Sequence, residues 1–201
     1  NGLASITDTA INLYNGYNTT LPGIEPSSPY FCVPSGGAYD NNGLFWLALY
    51  RSGSGCNIYA KTDDSNWIGF VNPSFVSGAY FENIAIDNYN TKWAALSRYS
   101  GYKGLYFFNE NNTLNNPSDD ISGKYDISAF SVQTVYYVTV DKNNVVWITT
   151  NNGVFTIDNP LEAIQNPANP PAPQKIGIIS GNLKVPFTES SITMAVDVLN
   201  E

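Results

Sequence analysis

Tyr136-Tyr137-Val138-Thr139-Val140-Asp141-Lys142-Asn143-Asn144-Val145-Val146-Trp147-Ile148-Thr149-Thr150-Asn151-Asn152-Gly153-Val154-Phe155-Thr156-Ile157-Asp158 decides the fold. Three apolar, β-branched and aromatic runs alternate with two Asn-rich turns, which is the pattern of strand, turn, strand, turn, strand. The same order recurs upstream. Phe81 to Asp87, a turn at Asn88 to Thr91, Lys92-Trp93-Ala94-Ala95-Leu96 and then Gly104-Leu105-Tyr106-Phe107-Phe108 form a second copy. Tyr39-Asp40, Asn41-Asn42-Gly43 and Leu44-Phe45-Trp46-Leu47-Ala48-Leu49 form a third. In every copy the tryptophan follows the aspartate by six residues, pairing Asp40 with Trp46, Asp87 with Trp93 and Asp141 with Trp147.

The tryptophans are spaced by 47 and 54 residues, close to the ~40 to 50 residues of a four-stranded propeller blade. Ile192-Thr193-Met194-Ala195-Val196-Asp197 repeats the strand that leads to the aspartate, so a further blade is expected to start within 190–201. Asn1-Gly2-Leu3 aligns with Lys103-Gly104-Leu105 and Asn152-Gly153-Val154, which makes 1–38 a partial blade. No long stretch carries apolar residues at a helical period, and Gly, Pro and Asn interrupt the chain every eight to twelve positions. The expected fold is therefore all-β: about four β-propeller blades forming an open arc of a larger ring of up to eight, favoured over a closed four-blade ring because a short blade leaves an exposed edge.

Each aspartate ends the first strand of a hairpin, where its carboxylate accepts hydrogen bonds from turn amides two or three residues on. Asp40, Asp87, Asp141 and Asp197 are thus read as structural and not as catalytic or calcium carboxylates, since one per blade spreads them round the ring. Trp46, Trp93 and Trp147 are expected to lie between blades. Trp67 breaks the pattern and follows the turn Asp63-Asp64-Ser65-Asn66. Packing is its first reading, yet it is also the leading candidate for an exposed aromatic contact. On that basis Trp147→Ala is expected to destabilise far more than Trp67→Ala. Tyr99, Tyr102 and Asn109-Glu110-Asn111-Asn112 make up a second candidate surface for a sugar or a peptide.

Composition narrows the function. The 201 residues carry 9 basic and 17 acidic side chains, a net charge of −8, and no histidine. Without histidine this chain holds no Ser-His-Asp or Cys-His relay and no imidazole metal ligand. The charged fraction is 13% against 14% aromatic, so the surface is neutral and polar, and an acidic chain neutralises no row of phosphates. Nucleic acid is excluded as a partner, and no apolar run is long enough to span a bilayer. Cys32 and Cys56 lack zinc or redox spacing and read as separate buried thiols in preference to a disulfide. Asp63-Asp64 and Asp119-Asp120 are paired in sequence, but neighbours on a strand point to opposite faces. No metal, cofactor or catalytic residue is assigned. The proline-rich run from Pro160 to Pro173 reads as a stiff crossing between strands, with docking as its functional alternative.

The runs Ile86-Asp87 to Lys92-Trp93 and Val140-Asp141 to Val146-Trp147-Ile148-Thr149-Thr150-Asn151-Asn152-Gly153-Val154 resemble the two-component regulator propeller repeat. Its usual form is Asp, a Gly-containing turn, Trp-Ile-Gly-Thr and Gly-Leu. Here Thr149 replaces the glycine, while Ala94-Ala95 and Leu47-Ala48 replace the Ile-Gly pair. That repeat occurs in the periplasmic sensor half of glycan-detecting hybrid two-component systems. It also occurs in the propeller component of the type IX secretion machinery, which assists attachment of cargo to anionic lipopolysaccharide at the cell surface. The resemblance implies a non-enzymatic binding or assembly module, periplasmic or at the cell surface, with protein or glycan and lipopolysaccharide partners. The second setting is favoured over the glycan sensor, and a propeller enzyme, which needs converging carboxylates, ranks last.

Overall fold

The computed structural model describes residues 2–96, 101–180, 183–186, 188–190 and 193–194. Three four-stranded antiparallel sheets dominate, each built from strands in sequence order. The first holds β3 (Pro34–Tyr39), β4 (Phe45–Leu49), β5 (Cys56–Lys61) and β6 (Trp67–Val71). The second holds β7 (Phe81–Ile86), β8 (Lys92–Leu96), β9 (Gly104–Asn109) and β10 (Ile121–Asp126). The third holds β11 (Val135–Val140), β12 (Val146–Thr150), β13 (Gly153–Ile157) and β14 (Gln174–Lys175). These are propeller blades, here blades 1, 2 and 3. A two-stranded hairpin, β1 (Leu3–Ile6) with β2 (Ile11–Tyr14), precedes them, and another, β15 (Gly177–Ser180) with β16 (Leu183–Pro186), follows.

Neighbouring blades meet along their first strands, β3 against β7 and β7 against β11. Packing explains the strands' composition. A blade between two others has both faces buried, so its central strands read as continuous apolar runs. In β8 and β9 alternate residues serve opposite neighbours. Ala94, Leu96, Tyr106 and Phe108 pack toward blade 1 with Trp46, Ile58 and Phe70. Trp93, Ala95, Leu105 and Phe107 pack toward blade 3 with Val138, Ile148 and Phe155. The other face of blade 1 closes on the first hairpin through Leu47, Leu49, Cys32, Tyr59 and Trp67 against Tyr14 and Leu21.

Gly2 and Gly104, aligned by sequence, are equivalent in space. Both have positive φ, +143° and +137°, and an added Cβ would fall 2.3 Å from the Tyr14 carbonyl oxygen and 1.9 Å from that of Tyr125. Only glycine starts a third strand this close to a fourth.

Two short helices depart from the strand-only expectation, α1 (Ile127–Phe130) and α2 (Pro160–Gln165). The second opens the proline-rich crossing. Proline at its first turn sacrifices no helical hydrogen bond, and Ala163 is buried against the blade 2–3 core. Past it the chain lies on β10, where an added Cβ on Gly123 would meet the Pro167 carbonyl at 2.9 Å.

Candidate functional site

The repeated aspartates are structural clasps. Asp40 Oδ1 accepts the N–H groups of Asn42 and Leu44, both at 2.9 Å, and its Oδ2 accepts the Trp46 indole N–H at 2.9 Å. Asp87 does the same for Tyr89, Thr91 and Trp93, and Asp141 for Asn143, Val145 and Trp147. The amides lie two and four residues on, where two or three was expected. The offset of six is the reach of the indole bond, a role that composition alone does not reveal. Burial raises the Asp87 carboxyl above its ordinary value, while the Trp93 indole and the turn amides pull it down. Asp197 and Tyr99 lie outside the described residues.

Adjacent clasps are joined. The Asn41 amide donates to Asn90 Oδ1 at 3.0 Å, and the Asn88 amide donates to Asn144 Oδ1 at 2.7 Å. Asn90 and Asn144 sit at φ +60° and +64°, the left-handed position that Gly43 occupies in blade 1. Asparagine tolerates that conformation and there also offers an oxygen to the previous blade.

Trp46 and Trp93 are fully buried, as expected. Trp147 is half-buried, because no further four-stranded sheet follows it among the described residues. Trp67 is 4% exposed, edge-on to Tyr14 and Phe45, and its indole N–H has no hydrogen-bond partner. It is packed and not presented as a contact surface. The premise for ranking Trp147→Ala above Trp67→Ala is therefore reversed. Tyr102 is exposed, with Lys124 Nζ 5.8 Å from its ring.

Only half of the Asn109 to Asn112 loop is the open surface its composition suggested, Asn111 and Asn112 being exposed. Asn109 and Glu110 are buried, and Glu110 pairs with Lys92 from β8. The Lys92 ammonium also lies 3.7 Å from the centre of the Trp46 ring across the blade boundary, a cation–π contact. Burial lowers the Lys92 ammonium and Glu110 pushes it back up. Lys92 was legible only as a charge in an otherwise apolar strand.

The paired aspartates separate, though by turn geometry and not by strand alternation, since neither pair lies on a strand. Asp63 caps its turn by accepting from the Ser65 and Asn66 amides, and Asp64 pairs with Lys61 at 2.8 Å. Asp119 accepts the Thr113 hydroxyl at 2.8 Å. Asp120 turns instead into a cleft of about 450 Å³ between the outer strands of blades 1 and 2. Ile68, Phe70, Tyr106, Phe108 and Leu114 wall it, and Ser122 and Asp120 are among its polar groups. Sequence inspection missed this cleft because its walls come from strands about forty residues apart. Among the described residues no three His, Cys, Asp or Glu side chains gather as a metal site, and no helix is long and apolar enough to cross a membrane. Cys32 and Cys56 are free and buried.

No family profile and no curated protein matches the sequence. Among solved structures, the chain is similar over its whole length to PorZ, described as an essential bacterial surface component of the type IX secretion system of Porphyromonas gingivalis. The identity is 25%, the TM-score 0.78, and the chain spans 28% of that protein. It also overlaps virginiamycin B lyase from Staphylococcus aureus at 20% identity and a TM-score of 0.54, over 78% of this chain and 45% of the lyase, which is a likeness of fold alone. The extracellular domain of the hybrid two component system BT3049 from B. thetaiotaomicron overlaps 72% of the chain and 17% of that protein at 19% identity and a TM-score of 0.48, too low to discriminate. The propeller-repeat resemblance read from the sequence fits the likeness to PorZ.

Proposed function

We propose that this chain is a non-enzymatic propeller module of a cell-envelope protein, serving binding and assembly in the manner of a type IX secretion component. The observation that carries this reading is the superposition with PorZ over the entire chain at a TM-score of 0.78. The chemistry of the interior supports it. Asp40, Asp87 and Asp141 are each occupied by three N–H donors within their own blade, which commits these three carboxylates to the fold. The lyase reading is weaker. One structure of that enzyme is a catalytically inactive histidine-to-alanine variant, and this chain contains no histidine.

The test is to identify the native protein by mass spectrometry of fractionated cells, with terminal peptides and protease shaving of intact cells. Peptides of this chain in the surface or periplasmic fraction, within a protein carrying a terminal secretion-signal β-domain, are the expected result. A membrane span and kinase domain in the same polypeptide would replace assembly by glycan sensing. A cytoplasmic location would overturn both.

A further inference from the structure

The cleft between blades 1 and 2 joins two features. Its walls are aromatic and aliphatic, with the Phe70 and Phe108 ring centres 4.9 Å apart. Its lining also includes Asp120, whose Oδ1 is buried without any hydrogen-bond partner. A carboxylate oxygen held out of water and given no donor is costly, because it has lost its hydration and gained nothing in return. Its near neighbour Asp119 is committed to Thr113, and Glu110 is committed to Lys92. Among the described acidic groups of this region, Asp120 thus offers an oxygen that no protein donor meets, Lys92 acting on it through space only.

We propose that this cleft binds an organic ammonium on an apolar stem, the cation meeting Asp120 and the stem lying against the contacting Phe70 and Phe108 rings and Leu114. The molecule already solves the same problem beside the cleft, where the Lys92 ammonium is held between the Trp46 face and Glu110. Aromatic faces with a carboxylate recognise ammonium groups because the ring quadrupole and the anion attract the same charge. Burial, then Asp119 and Glu110, raise the Asp120 carboxyl, and Lys92 lowers it. A bound cation lowers it further, so affinity and ionisation reinforce each other. The proposal goes beyond the assembly reading and stands on the cleft alone.

The experiment titrates the whole chain with n-butylammonium chloride, followed by amide NMR shifts, with n-butanol as the neutral probe of equal stem length. Shifts confined to Ile68–Val71, Tyr106–Phe108 and Ser122 are expected, at least tenfold weaker with n-butanol. Asp120→Asn and Asp120→Ser should each weaken butylammonium at least tenfold, while Asp119→Asn, which lies off the cleft, should keep it. Equal binding of n-butanol would overturn the proposal, since apolar filling then suffices. So would equal loss in Asp119→Asn, which would mean diffuse charge attraction, or an absence of localised shifts. These outcomes are independent of where in the cell the protein resides.

Discussion

Lys92 is the residue on which the boundary between blades 1 and 2 turns. Its charge is fully buried, matched by one carboxylate and one indole face. Removing one member of a buried pair strands the other, which costs about 3 to 5 kcal/mol, whereas replacing both with apolar groups is often neutral. Lys92→Met should therefore lower stability by about that amount in denaturant titration, and Lys92→Met with Glu110→Leu should recover most of it. A double variant as unstable as the single would show that the cation–π contact with Trp46 dominates. The tryptophans follow their burial: Trp93→Ala should cost about 3 to 5 kcal/mol, and Trp147→Ala, with its half-exposed ring, visibly less by melting temperature. The thiols give a pH limb. Burial pushes Cys32 up to about 11 from 9.0 and Tyr59 up to about 12 from 10.0. Above pH 9 the unfolded chain sheds protons that the folded chain retains. Stability is thus whole below pH 9 and falls as pH rises toward 11 to 12. Cys32→Ala should flatten the first part of that decline in melts at successive pH values. At this scale the aspartate-to-tryptophan offset was plain in the sequence. Its cause, an indole N–H bonded to the second carboxylate oxygen, was not, because a spacing records reach and not direction. Trp67 shows the converse, since an off-pattern position says nothing of the hairpin that folds over it.

The turns carry the connection between elements. Asn144 does two things, adopting φ +64° and accepting the Asn88 amide, and two substitutions separate them. Asn144→Gly keeps the backbone and removes the oxygen, which should cost about 1 kcal/mol. Asn144→Ala also removes the short polar side chain by which asparagine tolerates the left-handed region, adding about 1 to 2 kcal/mol. Equal effects in chemical denaturation would mean that the left-handed backbone contributes no measurable strain, and an unchanged Asn144→Gly would mean that the bond between blades contributes nothing measurable. The tryptophan strands and their neighbours in blades 2 and 3 were readable as short apolar runs between Asn or Gly turns, whereas β3 and β10, with their glycines, serines and charges, were not. Helix α2 was not, since Pro160 to Gln165 is under two turns long and too short to display a period. The cleft at Asp120 was also hidden. Its walls are outer-strand residues of two blades, and nothing local marks where two sheets splay apart.

For the whole molecule, burial sets an order of local stability. Every residue of β8 and β9 is buried, whereas in the first hairpin Ile6 and Ile11 are 76% and 73% exposed. Hydrogen exchange should be slowest in β8 and β9 and fastest in β1 and β2. Uniform protection across all strands would contradict that ranking and indicate opening as one unit. One bond recurs between the turns: a main-chain amide of one blade donates to an asparagine of the next, and at the first joint the Asn41 side chain also donates to the Asn88 carbonyl at 3.0 Å. In the bond that recurs, the donor is backbone and makes no demand on sequence, so for it only the receiving blade must carry the specific residue. A blade copied by gene duplication would bring its own coupling with it and dock behind any predecessor, which gives such a ring a route to lengthen or shorten by whole blades without redesigning its joints.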